Sequence, residues 1–182
     1  MCSNIQALSD DDAQELLTSY MAAIDGLFLW GLLSKTSVVV GKFGAQCRPT
    51  DPILESVFVR RGENALRYPR EAGIVGGDWS PGYNTMRIFE WAPHIRRPFS
   101  LPVIVATIVH ELCHASLGIL TCDDSYVGCL LDVATNGGHG EMFWKLNQFI
   151  METFCMVFPE VEFFQKELKI IKLSLGRVQR SN

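Results

Sequence analysis

His110-Glu111-Leu112-Cys113-His114 sets two imidazoles four residues apart, with a carboxylate directly after the first. On an α-helix, residues i and i+4 share a face about 5–6 Å apart at Cβ, so both rings can reach one ion. Glu111 projects from the adjacent part of the turn, where it can hold and deprotonate a zinc-bound water rather than ligate the metal. Histidines that merely cap or pack would give the same five letters, so the flanking chain has to separate the two readings.

Upstream, Leu101-Pro102-Val103-Ile104-Val105-Ala106-Thr107-Ile108-Val109 carries no charge, as a buried helix would, and Pro102 suits a first helical turn. The chain holds four histidines, at 94, 110, 114 and 139, which leaves few candidates for a third ligand. His139 lies in Asn136-Gly137-Gly138-His139-Gly140, where glycines free the backbone to bring an imidazole close to another helix. A helical pattern restarts at once with Glu141-Met142-Phe143-Trp144-Lys145-Leu146. His139 is the simpler choice, and Glu141 is the carboxylate alternative. The extended form His-Glu-x-x-His-x-x-Gly-x-x-His would need glycine at 117 and histidine at 120, but the chain has Leu117 and Leu120.

Further from the motif, Ser9-Asp10-Asp11-Asp12 reads as a helix start, with Leu16, Leu17, Tyr20, Met21, Ile24, Leu27 and Phe28 recurring behind it at helical spacing. Strand-like runs occur at Val38-Val39-Val40, Val57-Phe58-Val59, Ala72-Gly73-Ile74-Val75 and Thr85-Met86-Arg87-Ile88-Phe89. Residues 121–138 read as a loop with Asp123, Asp124 and Asp132. Met142, Phe143, Leu146, Phe149, Ile150 and Phe154 then form an apolar helical stripe, and a last helix is expected over 160–175.

His110-Glu111-x-x-His114-Ala115 followed by Gly138-His139-Gly140-x-x-Phe143 resembles the SprT-like zinc metalloproteases, whose eukaryotic branch includes the Spartan-type proteases of DNA–protein crosslink repair. Phe28-Leu29-Trp30-Gly31-Leu32-Leu33, before Ser37-Val38-Val39-Val40, is also similar to the Spartan-type entry to the domain, so the likeness runs over residues 14–156. The resemblance implies an α+β, zincin-like metalloprotease domain with a small antiparallel or mixed sheet packed on the motif helix and flanking helices. It implies Zn2+ held by His110, His114 and His139, with Glu111 as the catalytic glutamate. It further implies protein substrates bound or crosslinked to DNA, and a nuclear location. The middle of the chain is longer than the Spartan-type pattern, which places an insertion at 45–70.

At 182 residues and 48% hydrophobic, the chain can bury one core without disulfides, so a single domain over 1–182 is expected. Its cysteines, at 2, 47, 113, 122, 129 and 155, form no Cys-x-x-Cys pair, which excludes a zinc ribbon and favours reduced thiols. Cys113 is expected to pack rather than ligate. No stretch of about 20 uninterrupted apolar residues and no export signal is present, so a soluble intracellular protein without a membrane partner is expected. The formal net charge of −4 gives no general attraction for phosphates. DNA contact would have to be weak and local, through Arg60, Arg61, Arg67 and Arg70. Tyr83, His94 and Tyr126 are candidates to stabilise an oxyanion. The competing reading is a non-catalytic, zinc-stabilised protein-interaction domain. An intact Glu111 argues against it, because a purely structural site has no use for that carboxylate.

Overall fold

Ser9 opens the first helix, α1 (Asp10–Phe28), by accepting the Asp12 N–H at 3.1 Å and donating its hydroxyl to the Asp12 carboxylate at 2.6 Å. Three aspartates in the first turn then face the positive end of the helix dipole. The computed structural model describes residues 7–33, 55–59, 76–80, 85–89, 91–92, 97–120 and 138–181. Ala13, Leu17, Met21 and Ile24 form the buried line of α1. Leu27, expected in that line, is 76% exposed, because the line continues through Asp25 and Phe28 instead. The Phe28 ring meets Phe149 and Phe154 at centroid distances of 6.0 and 6.1 Å.

Asp25, fully buried, ends this helix. Its carbonyl accepts the Leu29 and Gly31 N–H groups at 2.8 and 3.0 Å, and its carboxylate accepts the Leu33 N–H at 3.2 Å. Between those bonds Trp30 and Gly31 both take left-handed backbone angles, with φ of 55° and 69°. That conformation is costly for tryptophan, and bonds to one buried aspartate on either side hold the turn in it.

The main sheet has the order β1-β3-β2, built from β1 (Glu55–Val59), β2 (Gly77–Ser80) and β3 (Thr85–Phe89). β1 runs parallel to β3, and β2 runs antiparallel to it with Asp78 opposite Arg87. That register makes a bidentate ion pair, with Arg87 Nε and Nη2 donating to the two Asp78 oxygens at 2.7 and 2.6 Å. A second ladder joins β4 (Trp91–Ala92) to β5 (Arg97–Pro98). Three helices follow: α2 (Leu101–Leu120), α3 (Glu141–Val157) and α4 (Glu162–Ser181). The architecture is therefore α+β, mainly helical with a small mixed sheet.

Helix α2 is the centre of the core. Ile104, Val105, Ile108, Val109, Leu112, Cys113 and Ala115 are buried, and the helix touches β2, β3, α1, α3 and α4. Leu101–Gly118 is long and apolar enough to cross a bilayer by length and composition alone, yet half of it is buried inside the protein. Its close fit to the sheet depends on Gly118, where an added Cβ would lie 2.0 Å from the Trp79 ring. Against α2, helix α3 buries Phe143, Asn147, Ile150, Met151 and Cys155. The expected stripe is rotated: Met142 and Phe149 stand 54% and 57% exposed, because the 143-147-150 line faces α2. Helix α4 runs beyond the expected 160–175 and returns along α3. Three polar clips hold the pair, Gln165 to the Cys155 carbonyl, Lys172 to Glu152, and Gln179 to Glu141.

The expected strands at 38–40 and 72–75 lie outside the described residues, as does most of the 45–70 stretch, of which 55–59 forms β1 in the main sheet.

Asp25→Ala should lower unfolding stability by about 1–3 kcal/mol, since it leaves the buried Leu33 N–H without its acceptor. Urea denaturation followed by circular dichroism measures this, and Asp25→Asn, which keeps an oxygen at that position, should cost less than Asp25→Ala.

Candidate metal centre

One turn of α2 separates His110 from His114, and both rings project to the side where the chain enters α3. Gly138 bends that entry with a φ of 84°, which a side chain would resist. Gly140 then caps α3, with its carbonyl accepting the Trp144 N–H at 3.2 Å. His139, fixed between these two glycines, completes the group. The three Nε2 atoms lie 3.2 Å (His110 to His114), 3.2 Å (His114 to His139) and 3.0 Å (His110 to His139) apart. They are close enough to share one metal ion. Glu141, the alternative ligand, is turned away to Lys145 at 2.9 Å and Gln179 at 3.1 Å.

Phe143 is the floor of this cluster. Fully buried, it contacts all three imidazoles, with ring centroids 4.8, 4.4 and 4.6 Å from His110, His114 and His139. Trp144 stacks on the outer side of His139 at 5.5 Å and 27°. The three rings are thus fixed by packing, which leaves little side-chain entropy to lose when an ion arrives. Their electrostatics also suit a cation. Burial, followed by the neighbouring His114 and His139, lowers the His110 pKa to about 3, and burial and His139 lower that of His114 to about 4. Both stay neutral at physiological pH, which is the form that ligates.

Glu111 is 6% exposed and points towards β2, whose Trp79 backbone N–H bonds its carboxylate. Burial raises its pKa to about 8, with the nearby Asp78 carboxylate adding to the rise and the Trp79 hydrogen bond opposing it. A carboxyl in this setting can take up and return a proton near neutral pH. Cys113 is fully buried and its thiol is pushed up by burial, first, and by Glu111, so it packs and takes no part.

The structure therefore brings together three of the expected site residues, His110, His114 and His139, and places Glu111 on the same helix, bonded to β2. From the sequence Phe143 is a core position and the last residue of the resemblance motif, and its spacing four residues after His139 is the pattern that carries it under the rings. Asp78 and Trp79 left no signal, because they approach Glu111 only through the pairing of β2 with α2. Tyr83, His94 and Tyr126, the oxyanion candidates, and Asp123, Asp124 and Asp132 lie outside the described residues, as do Arg60, Arg61, Arg67 and Arg70. No protein-family model, curated protein or solved structure matches the chain.

His139→Ala should reduce the metal content of the purified protein from near one ion per chain to a small fraction of that, as read by elemental analysis. It should also lower the melting temperature of the metal-loaded protein by several degrees, because the ion joins α2 to the start of α3.

In metal-free protein, Glu111 has a pKa of about 8 when folded against an ordinary 4.5 when unfolded. The folded state holds the proton across that window while the unfolded chain releases it, so this group's stabilisation is complete below pH 4.5 and is lost as pH rises through 8. Glu111→Gln removes that dependence. Melting curves with a chelator present should show the variant gaining on wild type steadily from pH 5 to pH 8.5, and a constant difference would contradict the assignment.

Proposed function

We propose that the chain is a zinc-dependent endopeptidase of the SprT-like type, with a zincin-like arrangement of sheet and motif helix. The observation that carries this reading is Glu111, a buried carboxylate one residue along the motif helix from a histidine of the three-imidazole cluster. A structural site joining two helices would have no need for that costly burial. The donor set also fits zinc. Three imidazole nitrogens 3.0–3.2 Å apart could share one ion at the distance of about 2.0–2.1 Å typical of zinc and histidine. When bound, zinc supplies Lewis acidity, polarising a carbonyl oxygen and lowering the pKa of a water towards about 7.

The chain's own groups supply the rest. His110, His114 and His139 hold the ion as neutral donors, and Phe143 keeps their rings from turning. Glu111 accepts the proton released by water as its oxygen bonds the peptide carbonyl carbon. The same carboxyl passes that proton to the amide nitrogen as the C–N bond breaks. The Trp79 N–H fixes the carboxylate during both transfers.

The substrates proposed are proteins bound or crosslinked to DNA in the nucleus, and the support is the order of the motif pieces from His110 to Phe143. With a net charge of −4, the chain grips DNA weakly, through Arg60, Arg61, Arg67 and Arg70. Glu111→Gln should retain metal and fold while cleavage of an unfolded protein falls roughly 10²- to 10⁴-fold. Single-stranded DNA should stimulate wild-type cleavage of a DNA-binding protein at low salt, with the effect fading as salt rises. Wild-type protein that is fully metal-loaded but cleaves nothing would favour the zinc-stabilised interaction domain, and cleavage indifferent to DNA would leave a general peptidase.

A further inference from the structure

A cleft of about 390 Å³ opens beside the metal centre, lined by His139 and Trp144 on one side and by Ser174, Arg177 and Val178 of α4 on the other. Only its α4 wall is independent of the metal-binding residues, which come from α2 and the start of α3. Its inner wall is a ligand ring, His139, with Trp144 stacked against it. Anything lying in the cleft is therefore one imidazole away from the ion. The α4 wall is formed by residues spaced i, i+3 and i+4, which share one face of the helix. The Gln179 to Glu141 hydrogen bond holds that face over the entry to α3.

We propose that this cleft is a substrate subsite that takes one large apolar side chain, aromatic or long aliphatic, from a residue next to the cleaved bond. The proposal rests on the peptidase reading for its role in cleavage. Three observations carry it. The Trp144 ring and the Val178 methyl groups give the cleft two apolar walls. It is an open groove whose volume is at the low end of the roughly 300–1,000 Å³ of small-ligand pockets, so a single side chain can lie along it. Its shared wall with His139 puts it within a residue's reach of the reacting carbonyl. Ser174 and Arg177 supply the polar groups among its lining residues, where the peptide backbone would pass.

The test uses the full-length, zinc-loaded Glu111→Gln protein and calorimetric titration with two peptides: a polar Gly-Ser peptide carrying a single phenylalanine, and the same peptide with alanine in its place. The phenylalanine peptide should bind roughly 4- to 10-fold tighter, the range expected for burying about half of one such side chain. Val178→Trp and Ser174→Phe fill the cleft from two positions, and each should erase that ratio while the metal content stays unchanged. Using both guards against one of them failing to fold. Equal affinity for the two peptides, or a ratio that survives both fillings, overturns the subsite. Cleavage by the wild-type chain separates this from the peptidase reading. A ratio abolished by filling in a chain that cleaves nothing keeps the subsite and discards the peptidase. Cleavage with no dependence on filling does the reverse.

Discussion

Three imidazole nitrogens held 3.0–3.2 Å apart are the constraint around which this molecule is arranged. Neutral imidazoles at that distance gain little from one another, since at most one of each pair can donate. The cluster persists because each ring is fixed from outside. His110 and His114 are set by the pitch of α2, His139 by the two glycines around it, and all three by Phe143 beneath them. The same burial that keeps His110 and His114 neutral makes them good ligands and poor sites for a proton. A cation bound among them would replace three weakly satisfied nitrogens with three coordinate bonds, and would tie α2 to α3.

The sheet serves this arrangement through its edge. β2 lies on α2 closely enough for the Trp79 ring to cover Gly118 and for the Trp79 N–H to meet Glu111. The bidentate pair between Asp78 and Arg87 locks β2 to β3 in the register that makes both contacts possible. Two carboxylates, Glu111 and Asp78, are thereby drawn near one another. Asp78 has Arg87 as its partner, whereas Glu111 is left with one backbone N–H and little water. This inequality is what separates their electrostatic roles.

Helix α4 shows a second use of the same core. Its pairing with α3 relies on a buried face of Phe164, Leu168 and Ile171 and on three polar clips spaced along the hairpin. The exposed clips contribute modestly in energy, since water and salt compete for them. Their effect is on register: they decide which residues of α4 stand over His139, and so which side chains line the cleft beside it.

Local patterns carried much of this in the sequence. The i, i+4 spacing of His110 and His114, the apolar run before them, the capping serine at position 9 and the alternation in Thr85–Phe89 are all short-range signals, and each appears as read. Their legibility follows from helix pitch and strand alternation, which depend on neighbours in the chain. The glycines around His139 likewise announced a tight approach. Faces were less legible than elements: Leu27 and Met142 satisfy an apolar pattern yet point outward, and Asp25 breaks the pattern yet is fully buried. Burial of that carboxylate makes sense only once Leu33 has folded back to use it. The contacts that tune Glu111 are the clearest case of what only the tertiary structure decided. Asp78 and Trp79 precede it by more than thirty residues. Their distance from its carboxylate is set by the packing of an edge strand on a helix, a relation that no periodicity in the chain encodes.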